Sequence, residues 1–385
     1  MRVRVLICPD KFAGTLTAPA AAAAIAAGWH DTAPGDDLIE RPLADGGPGF
    51  VDVLAHALGG HRIPVSTVDP LGRPAAGEVL LVGNRAEPTR GGKPQMKTAY
   101  VESAQACGLH LLTEAERNPN VTTSYGLGLL LAGAVEAGAT EIVVGLGGSA
   151  VNDAGAGMLA ALAAGPVDAA GYALPYGGAA LIAAAGLAGR PQLRDAHLVA
   201  ATDVDNPLVG LYGASSVYGP QKGATRDDVL RLDAALEHFA GVLEKALGVD
   251  GLAARPGGGA AGGLGAALIA LGGRVVSGIG LVSELIGLER ELDAADLVIT
   301  GEGSFDHQSL RGKVAAGVAN GARDRGLSCV VVAGRVETGH REAAAAGVTE
   351  LHSLVDHFGS TERALAEPAR GLREIGARLA GQWSR

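Results

Sequence analysis

One junction recurs along this chain and restricts its fold more than any other feature. A short apolar run rich in Val, Ile and Ala gives way to a polar, glycine-bearing turn, and the turn opens a helix-like segment. Alternation of this kind points to layered α/β structure with parallel strands. Residues 3–8 read as the first strand, followed by a helix over 18–29, a strand over 38–42 and a helix over 46–58. Near the other end, 297–300, 329–332 and 348–351 read as parallel strands separated by helices near 312–325 and 340–346. These two ends together make a doubly wound sheet.

The middle has its own pattern. Residues 77–83 and 99–103 are strand-like and flank a polar stretch, NRAEPTRGGKPQMK, which reads as a surface hairpin loop. A helix near 124–137, a strand at 141–144, a glycine-rich turn into another helix and a strand at 197–201 follow. Arg226–Leu247 is amphipathic, and 262–271 is a tightly packed helix. The expected fold is therefore α/β with two domains: a Rossmann-like parallel-sheet domain from 1–72 plus 286–385, and a second α/β domain, 73–285, inserted into it. A chain of 385 residues is long enough for both. No repeat at solenoid or propeller periods is visible.

Composition narrows the function. The formal net charge is −10 with no run of Lys or Arg, which argues against a nucleic-acid partner. No apolar stretch reaches the roughly 20 uninterrupted residues of a spanning helix. The N-terminal MRVRVLICPD lacks a signal-peptide core. A cytoplasmic protein without membrane partners is expected. Cys8, Cys107 and Cys329 lie far apart and read as small buried hydrophobes.

The 60 glycines are concentrated partly in clusters after apolar runs, and ligands of open parallel sheets bind at those carboxyl ends. Five turns carry the chemistry. CPDKFAGTLTA brings Asp10 and Lys11 out of the first strand. PLADGGPGF places Asp45 at a strand end, with Gly46 and Gly47 at a helix entrance that favours an anion. VVGLGGSAVNDAGAG offers Gly147, Gly148 and Ser149 as a phosphate-binding turn, with Asn152 and Asp153 beside it. ATDVDNPLVG supplies Asp203 and Asp205, and GPQKGAT adds the isolated cation Lys222. LVITGEGSFDHQSLRGKV runs out into Glu302 and Asp306, with Gly312 and Lys313 opening a helix. Each signal has a bland alternative as a cap or turn. Their shared placement favours a cleft enzyme acting on phosphate. The P-loop, the dinucleotide fingerprint, HExxH, GxSxG and zinc-ligand spacings are absent.

At these turns the sequence resembles the bacterial type-I glycerate kinase family. The strings PDKFAGTLTA, PLADGGPGFVDVL, ERNPNVTTSYGLG, GLGGSAVNDAGAGML, ATDVDNPLVGLYGASSVYGPQKGAT, GAAGGLG and ADLVITGEGSFDHQSLRGK carry the resemblance, from Pro9 to Lys313. It implies an ATP- and Mg²⁺-dependent kinase of glycerate or sugar-acid metabolism, with the active site in the cleft between two domains. Ala13 stands where the family often has Lys, and the polar insertion around 84–97 is atypical.

On that reading D-glycerate meets Asp10, Lys11, Asp45, Gly46, Gly47 and Asp306, with Asp45 accepting the hydroxyl proton. ATP phosphates lie on Gly147, Gly148 and Ser149, beside Asn152 and Asp153, with Lys222 as a mobile cation. Mg²⁺ takes one or two of Asp203, Asp205 and Glu302. The product is 2-phosphoglycerate, with the 3-phosphate isomer as the alternative. A nucleotide-dependent dehydrogenase and a non-catalytic small-molecule sensor are the other classes weighed. A homodimer is compatible with the sequence but not read from it.

Overall fold

The computed structural model describes residues 2–12, 14–83, 96–307, 309–311 and 314–384. Ala13, Gly312, Lys313 and most of the expected hairpin loop, 84–95, lie outside the described residues. Along the chain, β1 (Arg4–Ile7) leads through the helix Ala18–Thr32 to β2 (Asp37–Glu40) and the helix Phe50–Leu58. Next come β3 (His61–Val68), β4 (Pro74–Gly83) and β5 (Lys97–Glu102). The helix Tyr125–Glu136 precedes β6 (Glu141–Gly145). A two-residue ribbon, β7 (Pro166–Val167) with β8 (Gly186–Leu187), separates it from β9 (His197–Ala201). After the helices Arg226–Leu247 and Ala260–Ala270 comes β10 (Arg274–Val276). The chain closes with β11 (Leu297–Phe305), β12 (Ser328–Val336), β13 (Glu350–Ser353) and the helix Pro368–Trp383.

Two compact units result. The first comprises Met1–Asp45, Asp52–Leu58 and Ile279–Arg385; the second comprises Gly46–Val51 and Gly59–Gly278. The change of unit after Leu58 comes earlier than the expected boundary at 72. The reason is β3, which pairs antiparallel with β4 from His61↔Leu81 to Val68↔Pro74 and so belongs to the second sheet. β3 is an edge strand, mostly exposed or half-buried and interrupted by Pro64. Such a strand carries little apolar signal. The return to the first unit falls at 278/279 rather than 285/286, because the helix Gly278–Ile286 goes almost whole with the first unit.

The first unit holds a five-stranded sheet in the order β13-β12-β11-β1-β2, every pairing parallel. Counted within the unit this is the doubly wound order 2-1-3-4-5, whose switch point lies between β1 and β11. One face is covered by Ala21, Ile25 and Trp29 of the helix Ala18–Thr32 and by Leu372, Ile375 and Leu379 of the helix Pro368–Trp383. Burying each large aliphatic side chain contributes roughly 1.5–3 kcal/mol. The two helices touch backbone to backbone. A Cβ on Gly28 would stand 1.8 Å from the Arg373 carbonyl oxygen, and one on Gly376 would stand 2.4 Å from that of Ile25.

The second unit holds a six-stranded sheet in the order β10-β9-β6-β5-β4-β3. β5, β6, β9 and β10 are parallel neighbours, and β4 and β3 extend the sheet as an antiparallel pair. Leu127, Leu130 and Leu131 pack on Ile142 and Val144, while Leu236, Phe239 and Leu243 of the amphipathic helix anchor a separate core. That helix begins with a capping box: Thr225 Oγ1 accepts from the Asp228 amide, and Asp228 accepts from the Thr225 amide. Among the described residues no helix is long and apolar enough to cross a membrane. All three cysteines are free and buried.

Candidate active site

In the first unit, the backbone beyond β1 keeps following β11. The Cys8 amide donates to the Ile299 carbonyl and the Asp10 amide to that of Gly301, both at 2.8 Å. Asp10 and Lys11 are therefore fixed at the switch point of the sheet. Lys11 Nζ lies 3.6 Å from Asp10 Oδ1 and 3.8 Å from Asp45 Oδ1. The Asp10 side chain is only 13% exposed, against 44% for Asp45. Burial pushes the Asp10 carboxyl up to about 6; the Lys11 ammonium opposes the shift and the Asp45 charge adds to it. A carboxyl tuned in that direction suits proton transfer near neutral pH. Asp10, Lys11 and Asp45 are thus brought together.

Glu302 does not follow a strand. β11 continues to Phe305 because β12 is equally long and pairs with it as far as Phe305↔Val336. Glu302 is a buried residue within the ladder, opposite Ala333. Asp306 Oδ1 accepts from the Ser309 amide at 3.0 Å and so caps the short turn Ser309–Arg311.

In the second unit, the loop Gly46–Val51 sits on the carboxyl ends of β5, β6 and β9. The expected helix from residue 46 begins only at Phe50, because Gly46 and Gly49 have φ of 88° and 92°, outside helical space. A Cβ on Gly46 would lie 2.9 Å from the Ala201 carbonyl oxygen, and one on Gly147 would lie 2.4 Å from Gly47 Cα. These glycines allow two loops to touch.

The neighbouring polar residues point inward. Lys222, expected as a mobile cation, is 2% exposed, and its Nζ donates to Val151 O at 2.6 Å and Ser149 Oγ at 3.2 Å. Burial pulls this ammonium down to about 7, against the opposing pull of Asp153 and Cys107. Asp153 is fully buried; it accepts from the Ser124 amide and hydroxyl and from the Gly155 and Gly157 amides. Asn152 is equally buried and donates to Ser215 Oγ. Asn152 and Asp153 therefore knit the turn from inside and present no surface to a nucleotide, contrary to expectation. Gly148 is exposed at the tip.

Asp203 and Asp205, after β9, are both exposed, and Asp203 Oδ1 accepts from Ser277 Oγ at 2.6 Å. Among the described residues no three His, Cys, Asp or Glu side chains converge on one metal position. Asp203, Asp205 and Glu302 are thus not a ready-made three-ligand site. Mg²⁺ needs only one or two carboxylates when phosphates complete its shell, and the exposed carboxylates of Asp203 and Asp205 fit that requirement.

The sequence profile of the glycerate kinase family matches residues 5–384. The chain belongs to the glycerate kinase family. It is 39% identical over 388 residues to the glycerate 2-kinase of Escherichia coli K12, spanning 98% of both chains. It is 38% identical over 380 residues to a glycerate kinase of Halalkalibacterium halodurans, covering 98% of this chain and 97% of that one. A crystal structure from Salmonella typhimurium LT2, assigned to glycerate kinase 2, superimposes with a TM-score of 0.79 at 37% identity, covering 99% and 98% of the two chains. As a member of that family the protein is a phosphotransferase with an alcohol group as acceptor.

One residue of this kinase escaped the sequence reading. Glu102, the buried last residue of β5, accepts from the Gly49 amide at 2.9 Å and the Val51 amide at 3.4 Å. It anchors the Gly46–Val51 loop. The available signal was an acid at the end of an apolar strand, the pattern already noted at the five turns.

Proposed function

We propose that the protein transfers the γ-phosphoryl group of ATP to the 2-hydroxyl of D-glycerate, giving 2-phosphoglycerate. The observation that carries this reading is the Asp10–Lys11–Asp45 group at the switch point of a doubly wound sheet. The name of the Escherichia coli relative supports the 2-position.

With both acids ionised, the trio has a formal charge of −1, so it is better suited to take a proton from a hydroxyl than to bind an anion. Asp45, the more exposed carboxylate, orients the acceptor hydroxyl and takes its proton. Lys11 offsets the charge of its two neighbours and holds them in place. The exposed Gly148 backbone and the Ser149 hydroxyl, braced from below by Lys222, meet the phosphates of ATP. Asp203 and Asp205 would hold Mg²⁺, which when bound screens charge on the transferred group. Fixed loops of this kind catalyse mainly by positioning.

Phosphorus NMR of the product from ATP, Mg²⁺ and D-glycerate tests the reading. A phosphomonoester coupled to a single methine proton is expected. Coupling to a methylene pair would assign the 3-position, and no phosphomonoester would overturn the reaction itself.

A further inference from the structure

A cavity of about 280 Å³ opens in the first unit at the carboxyl ends of β11, β12 and β13. Its floor is apolar: Phe12, Leu354 and Ala364 belong to the core beneath it, and Leu365, 60% exposed, stands at its edge. Polar groups are confined mainly to the rim, where Thr15, Ser304, Thr361 and Arg335 stand. Arg335 is exposed and pairs with Glu337 at 3.1 Å.

We propose that this cavity binds the base and sugar of the nucleotide that donates the phosphoryl group. The inference rests on the ATP-dependent reading above and adds where the nucleoside sits. Three observations carry it. Of the groups in that reaction, glycerate and the phosphates are anionic and strongly solvated, and only a nucleobase presents a flat apolar face to such a floor. The volume lies just under the roughly 300–1,000 Å³ of whole small-molecule sites, a size for one part of a larger ligand. The cavity also shares a wall with the catalytic loop: Phe12 and Thr15 belong to the segment after Asp10 and Lys11. Arg335, at the rim, offers a guanidinium for stacking on a ring once it leaves Glu337.

The test uses the full-length protein and two probes, a non-hydrolysable ATP analogue and inorganic tripolyphosphate. In wild-type protein, the methyl NMR signals of Leu354, Val355, Ala364 and Leu365 should shift with the analogue and stay still with tripolyphosphate. Ala364→Phe fills the cavity and Thr361→Trp covers its rim. Each should raise the KM for ATP about tenfold or more, equivalent to about 1.4 kcal/mol, and leave the KM for glycerate within about twofold. Methyl signals indifferent to the analogue, or an unchanged KM for ATP in correctly folded variants, would overturn the assignment. If the variants fail to fold, the wild-type spectra decide alone. A wild-type protein that binds the analogue here yet transfers no phosphate to glycerate would sink the proposed reaction and leave the pocket standing.

Discussion

Asp10 concentrates the conflict between stability and chemistry in one side chain. Its carboxyl is raised from 3.8 to about 6, so between those values the folded state binds a proton that the unfolded chain releases. Ionised Asp10 therefore opposes folding at neutral pH, and the penalty lifts as pH falls through 6. Asp10→Asn should raise stability at pH 7 by on the order of 1–3 kcal/mol in urea titrations. Wild-type kcat/KM should fall as pH drops below 6, and the same change should abolish that fall. Asp45→Asn should lower kcat by about 10²–10⁴ with native circular dichroism, and near-wild-type turnover would remove Asp45 from the mechanism. Lys222 has the opposite sign. Its ammonium falls from 10.5 to about 7, so from pH 7 to 10 the unfolded chain binds the extra proton and stability climbs with pH. Lys222→Met should flatten that climb, as read from urea midpoints at pH 7, 8.5 and 10.

At the scale of elements, close backbone approach matters more than side-chain identity. Where the helices Ala18–Thr32 and Pro368–Trp383 cross, Gly28 leaves no room for even a methyl group. Gly28→Ala should cost about 1–3 kcal/mol through forced separation of the pair. Hydrogen exchange would check this, with faster exchange expected in β1, β11 and β12 than in β6 and β9. Gly147→Ala should act differently, pushing the Gly46–Val51 loop off its seat and lowering kcat more than stability. The element boundaries that sequence reading missed have the same origin. A helix was expected from residue 46, but two left-handed glycines delay it to Phe50. β11 was expected to stop at Thr300, but a long partner strand carries it to Phe305.

Across the whole molecule, the parallel α/β architecture was legible because buried parallel strands are continuous apolar runs, and their turns are marked by glycine and acid. The edge strand β3 was not, because half-exposed alternation around Pro64 resembles a loop. Within the candidate site, Asp10, Lys11 and Asp45 were legible from their place after strands. The inward turn of Asn152, Asp153 and Lys222 was not, because a polar residue in a glycine-rich turn has the same sequence signature whether it faces ligand or core. Only three-dimensional pairing, such as Asp153 with Ser124, separates the two cases.

The split of the first unit also sets the order in which the protein can be made. β1 has β2 as its early partner, joined by four register pairs, but its other neighbour, β11, is translated only after all of β3 to β10. On the ribosome, the opening segment must wait with its apolar strand and helix uncovered while the intervening unit completes its own sheet. Nascent chains stalled before β11 should therefore recruit holdase chaperones to residues 2–58, and release should follow emergence of the last three strands.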